Sequence, residues 1–183
     1  MAQTTVCRLK FLLISKSISN MNSTPWLNHV SPKLMANGFR PLEPEKYQSL
    51  SYKYVARRSR FEISKFGMVD AFFTFAEIPD AQPQVLQNYS AISFDLANKN
   101  KSTPLPNGFF MAVFCFAVAI TERLDPQVAE WVRNTTPPKH WASNEIPVVF
   151  DLADGNLCYL EKTPVWGAAY FAGFRREIEN NLR

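Results

Sequence analysis

Six glycines, three cysteines and two histidines are all that 183 residues contain of these types. Each scarcity removes a class of protein. Neither Gly-x-Gly-x-x-Gly nor Gly-x-x-x-x-Gly-Lys-Ser/Thr occurs, so no glycine loop is available to cradle a nucleotide phosphate. Gly-x-Ser-x-Gly, the nucleophile turn of many hydrolases, is also missing. Cys7, Cys115 and Cys158 lie far apart and form no Cys-x-x-Cys pair. With only His29 and His140 to join them, they lack the spacing of a zinc site. The longest uninterrupted apolar run, Phe109 to Ile120, has 12 residues. A bilayer-spanning helix needs about 20. These absences point to a soluble protein with reduced thiols, a cytoplasmic location, no cofactor and no membrane partner.

Acid is missing from one end of the chain. The first carboxylate is Glu43, and residues 1–65 hold 11 basic against 3 acidic side chains. Residues 66–183 hold 9 basic against 13 acidic. The segment 1–42 is therefore read as a flexible or removable extension, with a single domain over residues 43–183. Its Ser-rich, acid-free composition also suits an organelle transit peptide, although arginine is sparse, and Trp26 and Leu27 could anchor a structured arm. Phe11–Ile14 is too short for a secretory signal, whose apolar stretch spans about 7–15 residues. Because Arg8, Lys10, Lys16 and Lys33 fall in this segment, the basic excess gives little support to a nucleic-acid partner.

What the chain does have is aromatic residues: 15 Phe, six Tyr and four Trp. The runs Tyr52–Ile63 and Met68–Ile78 are rich in aromatic and β-branched residues. They read as an antiparallel hairpin broken at Lys65-Phe66-Gly67, where glycine could take a positive φ. Asp80 followed by Pro83 opens a helix over about 81–99, whose apolar residues recur from Val85 to Leu96 at helical spacing. Phe109–Ile120 reads as a strand covered on both faces. Asp125-Pro126 opens a short helix to about Arg133. Asp154-Gly155 sits between two further β-rich runs and predicts a hairpin in which Leu152 opposes Leu157 and Phe150 opposes Tyr159. Thr163-Pro164 opens a last helix with an apolar stripe of Trp166, Tyr170, Phe174, Ile178 and Leu182. Small residues, among them Ala172 and Gly173, would let this helix lie close on a sheet. The order ββ-α-β-α-ββ-α predicts an α+β fold. Its sheet is mixed or mostly antiparallel, with about three helices packed on it.

Candidate functional residues fall into three groups. Arg57, Arg58 and Arg60 alternate with aromatic residues and could meet nucleic acid. Alternation divides them, with Arg58 and Arg60 sharing a face with Tyr52 and Tyr54, and Arg57 sharing the other with Phe61. Asp151, Glu161 and Lys162 contain the groups of a metal-dependent phosphodiesterase, but adjacent Glu161 and Lys162 would point to opposite faces of a strand. Lys139, His140 and Trp141 belong to an unusual loop that also carries Asn144 and Glu145 just before a strand, where functional residues often lie. With no strong catalytic motif present, the preferred reading is a non-catalytic binding or adaptor domain, with a protein partner or self-association. The phosphodiesterase and nucleic-acid readings follow behind it.

Overall fold

In the computed structural model, described for residues 21–43, 46–62, 67–108, 110–162 and 168–183, the aromatic runs become the middle of a mixed sheet. Strand β4 (Tyr54–Glu62) pairs antiparallel with β5 (Gly67–Glu77) from Tyr54↔Phe75 to Glu62↔Gly67. The next two strands are parallel to β5: β6 (Met111–Thr121), then β8 (Ser143–Asp151). Each parallel step needs a crossover. Helix α2 (Pro83–Lys99) makes the first and α3 (Pro126–Asn134) the second. Short antiparallel strands finish the sheet: β1 (Arg40–Leu42) on β4, and β7 (Lys139–His140) and β9 (Asn156–Tyr159) on β8. The path is β1-β4-β5-β6-β8-β7, with β9 also on β8. Lys46–Tyr47 (β2) and Leu50–Ser51 (β3) form a separate small hairpin. The class is α+β, with helices packed on a mixed sheet.

Every residue of β6 is buried, as its unbroken apolarity implies. Its even-numbered residues, with Phe73 and Phe75, face helices α1 (Thr24–Ala36) and α4 (Ala168–Leu182). There Phe73 stacks on Phe116 at 4.5 Å and meets Phe39 edge-on at 5.1 Å. The odd-numbered residues of β6 face α2 and α3. Asp125 caps α3 through its side chain, accepting from the Gln127 amide at 2.7 Å, as the Asp-Pro opening predicts. Among the described residues no helix is long and apolar enough to cross a membrane.

Several expectations need correction. Residues 24–42 form α1 and β1: Val30 and Leu34 are fully buried, and Trp26 stacks on Phe150 at 3.7 Å. Ser23 donates to Glu77 at 2.6 Å and so ties the start of α1 to the carboxyl end of β5. Residues 1–20 lie outside the described residues. We expect Leu34→Ala to destabilise the fold by about 3 kcal/mol, the usual scale for a buried leucine. Denaturant titration checks this; a loss below about 0.5 kcal/mol would show that α1 does not contribute to the core.

The Asp-Gly hairpin is longer than expected. Phe150 opposes Leu157 and Val148 opposes Tyr159, which leaves residues 152–155 in the turn. Asp151 is the reason: its carboxylate accepts from the Ala153 amide at 2.9 Å and from the Leu124 amide at 2.9 Å, holding the turn against the loop before α3. The cap residue of α2 is Gln82, not Asp80. Gly67 begins β5 without a positive φ. Its need is space, since a Cβ there would stand 2.7 Å from the Phe110 carbonyl. Residues 63–66 and 163–167, including the expected turn and the Thr163-Pro164 helix opening, lie outside the described residues. On α4 the buried stripe is Phe171, Phe174, Ile178 and Leu182, while Tyr170 is exposed. Ala172 and Gly173 face outward, so they do not serve close packing. Tyr52 precedes β4 and packs under α2, where its hydroxyl meets Ser93 at 3.2 Å. It therefore does not share the face of Tyr54.

Candidate binding site

Polar groups bury themselves where β8 begins. The tight turn His140-Trp141-Ala142-Ser143 joins β7 to β8, with Ala142 at φ 54. In this turn Trp141 projects outward, 77% exposed. His140 stacks on Phe94 of α2, ring centres 4.1 Å apart. The Ser143 hydroxyl accepts from the Val113 amide at 3.0 Å and fixes the turn to β6. Two residues on, Glu145 points to the α2 side of the sheet, only 3% exposed.

Glu145 is the unusual group. One oxygen, Oε1, lies 3.9 Å from His140 Nε2. The other, Oε2, is buried and has no hydrogen-bond partner. Ser90 Oγ, on α2, is also buried without a partner, though it lies near enough to the carboxyl to favour its charged form. Burial outweighs this and raises the Glu145 pKa above the usual carboxylate value. Burial also lowers the His140 pKa, which favours the neutral imidazole. Cys115, beside Glu145 in the strand register, is fully buried, and its pKa is pushed far up, which keeps the thiol protonated.

Glu145 and Ser90 line a pocket of about 280 Å³ between α2, α3 and the start of β8. Gln84, Gln87 and Asn88 contribute amides; Trp131 and Pro147 contribute apolar surface; Thr135 and Thr136 add hydroxyls. Among the described residues Glu145 is the one charged residue in the lining. The volume is close to the lower limit of small-molecule sites, about 300 Å³.

The structure divides the residues proposed from sequence. His140 comes beside Glu145 without lining the pocket itself, while the exposed Trp141 lies against Gly108, where a Cβ would collide with the indole. Lys139 registers opposite Asn144. Asp151 has its carboxylate on backbone amides at the far end of β8. Glu161 is exposed and pairs with Arg133 at 3.3 Å. Tyr159 already lies three residues, about 10 Å, from the level of Asp151, and Glu161 and Lys162 are further on. The three residues do not converge on one metal position, and no group of three or more potential ligands gathers among the described residues. Arg57 donates to the Asn100 carbonyl at 2.7 Å. Arg58 pairs with Glu177 at 2.7 Å and lies over Phe39. Arg60 reaches the Asn37 carbonyl at 3.5 Å. Two of the three guanidiniums thus hold helices to the sheet.

A second recess, of about 370 Å³, lies at the amino ends of β5 and β6, between Met68, Phe110 and Tyr170. Residues next to its lining in sequence, 63–66, 109 and 163–167, fall outside the described residues.

The sequence drew attention to the His140 loop but not to Ser90 or the amides of α2. A signal for them was present: Ser90 and Ser93 sit on the apolar face of an amphipathic helix, where a serine has to find a partner. No family model, no curated protein and no solved structure matches this chain.

Proposed function

We propose that this protein is a non-catalytic binding domain whose ligand is a small polar molecule held in the α2–α3–β8 pocket. One observation carries the reading: Glu145 is buried in the lining of a pocket, and its Oε2 makes no hydrogen bond, with the Ser90 hydroxyl as its neighbour. Leaving a buried polar group unpaired costs about 1–3 kcal/mol, and more when it is charged. Such a cost in the free protein is explained if a ligand supplies the missing partner. The remaining lining fits this use, with amides and hydroxyls for orientation and Trp131 for contact area.

The arrangement does not favour catalysis. In a nucleophilic triad the histidine stands between the hydroxyl and the acid. Here the acid stands between Ser90 and His140, so the serine-histidine-acid order of such a triad is not formed.

The test is a screen of small polar molecules by amide chemical shifts. We expect saturable binding with shifts confined to residues 84–91, 131–138 and 145. Ala91→Phe, which fills the pocket from α2 without altering Glu145, should remove it. Binding elsewhere only, or full binding in Ala91→Phe, would overturn the reading.

A further inference from the structure

We propose that the pocket takes a compact organic cation, with an ammonium or guanidinium group drawn to the carboxylate of Glu145 in its lining. This rests on reading the pocket as the ligand site and adds the charge of what enters it. Among the described residues the lining has a single formal charge, that of Glu145. An anion would meet a carboxylate and no base. A metal ion would find one carboxylate and one imidazole, fewer than the three protein ligands of a typical zinc site. A cation meets a carboxylate whose Oε2 makes no hydrogen bond and which has only the neutral Ser90 hydroxyl beside it, in surroundings dry enough to strengthen the attraction. Charge-assisted hydrogen bonds are roughly twice as strong as neutral ones. Trp131 in the same lining offers an aromatic surface, which attracts cations further.

The groups around Glu145 agree on the direction of the pH effect. From α2 it is faced by Ser90, which does not titrate. From β6 it is faced by the Cys115 thiol, held protonated by burial. From β7 it is faced by His140. Among the described residues α3 contributes no charged residue to the lining. As pH falls, Glu145 gains a proton and its attraction for a cation disappears. His140 also gains a proton and repels the cation. Both changes weaken cation binding, so affinity should rise between pH 5 and pH 8. A neutral ligand accepting from protonated Glu145 would show the opposite trend.

The experiment compares benzylamine, charged throughout this range, with its neutral isostere benzyl alcohol. Binding to the full chain is followed by chemical shifts at pH 5, 6.5 and 8. At pH 8 we expect the amine to bind at least tenfold more tightly than the alcohol. That preference should shrink at pH 5 and fall to near parity in Glu145→Gln. Equal or tighter binding of the alcohol, amine affinity that rises as pH falls, or unchanged amine affinity in Glu145→Gln would overturn the cation proposal. If the alcohol alone perturbs the pocket residues, the pocket remains a ligand site and only the charge assignment fails. If neither probe perturbs them, the cation assignment fails with no support left for it, and the broader screen with Ala91→Phe decides the pocket reading separately.

Discussion

Glu145→Gln should raise the melting temperature of the ligand-free protein at pH 8 by about 2–4 °C, the equivalent of about 1 kcal/mol for a chain of this size. The mutation removes a buried charge with an unpaired oxygen and leaves an amide of the same shape, which can donate to Ser90. The pH dependence gives the sharper signature. Folding raises the Glu145 pKa, so the folded chain keeps a proton that the unfolded chain releases. The stability this contributes is complete below the ordinary carboxylate pKa and is lost as pH rises through the raised value. The gain from Glu145→Gln should therefore be small at pH 4, grow upward from there and level off once the folded-state carboxyl is ionised. Melting curves across pH 4–8 check it. A lower melting temperature at pH 8, or a difference independent of pH, would mean that the carboxylate is well accommodated. A variant that gains stability while losing its ligand is the usual mark of a residue kept for function.

The largest loss of stability is expected from Phe73→Ala. Phe73 is fully buried at the middle of β5, stacked on Phe116 and in ring contact with Phe39 and Phe75. Removing such a ring costs about 3–5 kcal/mol, because the transfer energy is lost and a cavity remains. Domains of this kind are stable by about 5–15 kcal/mol, so the variant should lose a large fraction of the total. Urea titration would measure it. A loss under 1 kcal/mol would mean that this cluster is not the centre of the core. The same substitution lies on the sheet face opposite Glu145, so once folded it should leave ligand preference unchanged.

Much of the fold was legible because β4, β5, β6, α2 and α3 each carry a local signal that agrees with their tertiary role. β6 is apolar throughout and buried throughout. Asp125-Pro126 is a helix opening in isolation and in the structure. Helix α1 was not legible. Pro25, Asn28, Ser31 and Pro32 give it poor intrinsic propensity. It is held by the burial of Val30 and Leu34 and by Trp26 on Phe150, contacts with residues distant in the chain. The register of the β8–β9 hairpin was misread for a similar reason. Asp-Gly favours a two-residue turn, but Asp151 takes backbone amides from the turn and from the loop before α3. Of the candidate site, only the His140 loop could be seen in advance. Ser90 and the α2 amides join it through the β5-α2-β6 crossover, which no spacing in the sequence reveals.

The central claim is that Glu145 waits for a cationic partner, and its own titration tests that most directly. The carboxyl carbon of Glu145 can be followed by nuclear magnetic resonance, with Glu145→Gln giving the assignment, in the free protein and with saturating benzylamine. The account predicts a midpoint above the usual carboxylate value in the free protein and a clear fall when the amine is bound, since a bound cation favours the charged form. An ordinary midpoint in the free protein, or one that the amine leaves in place, would contradict it.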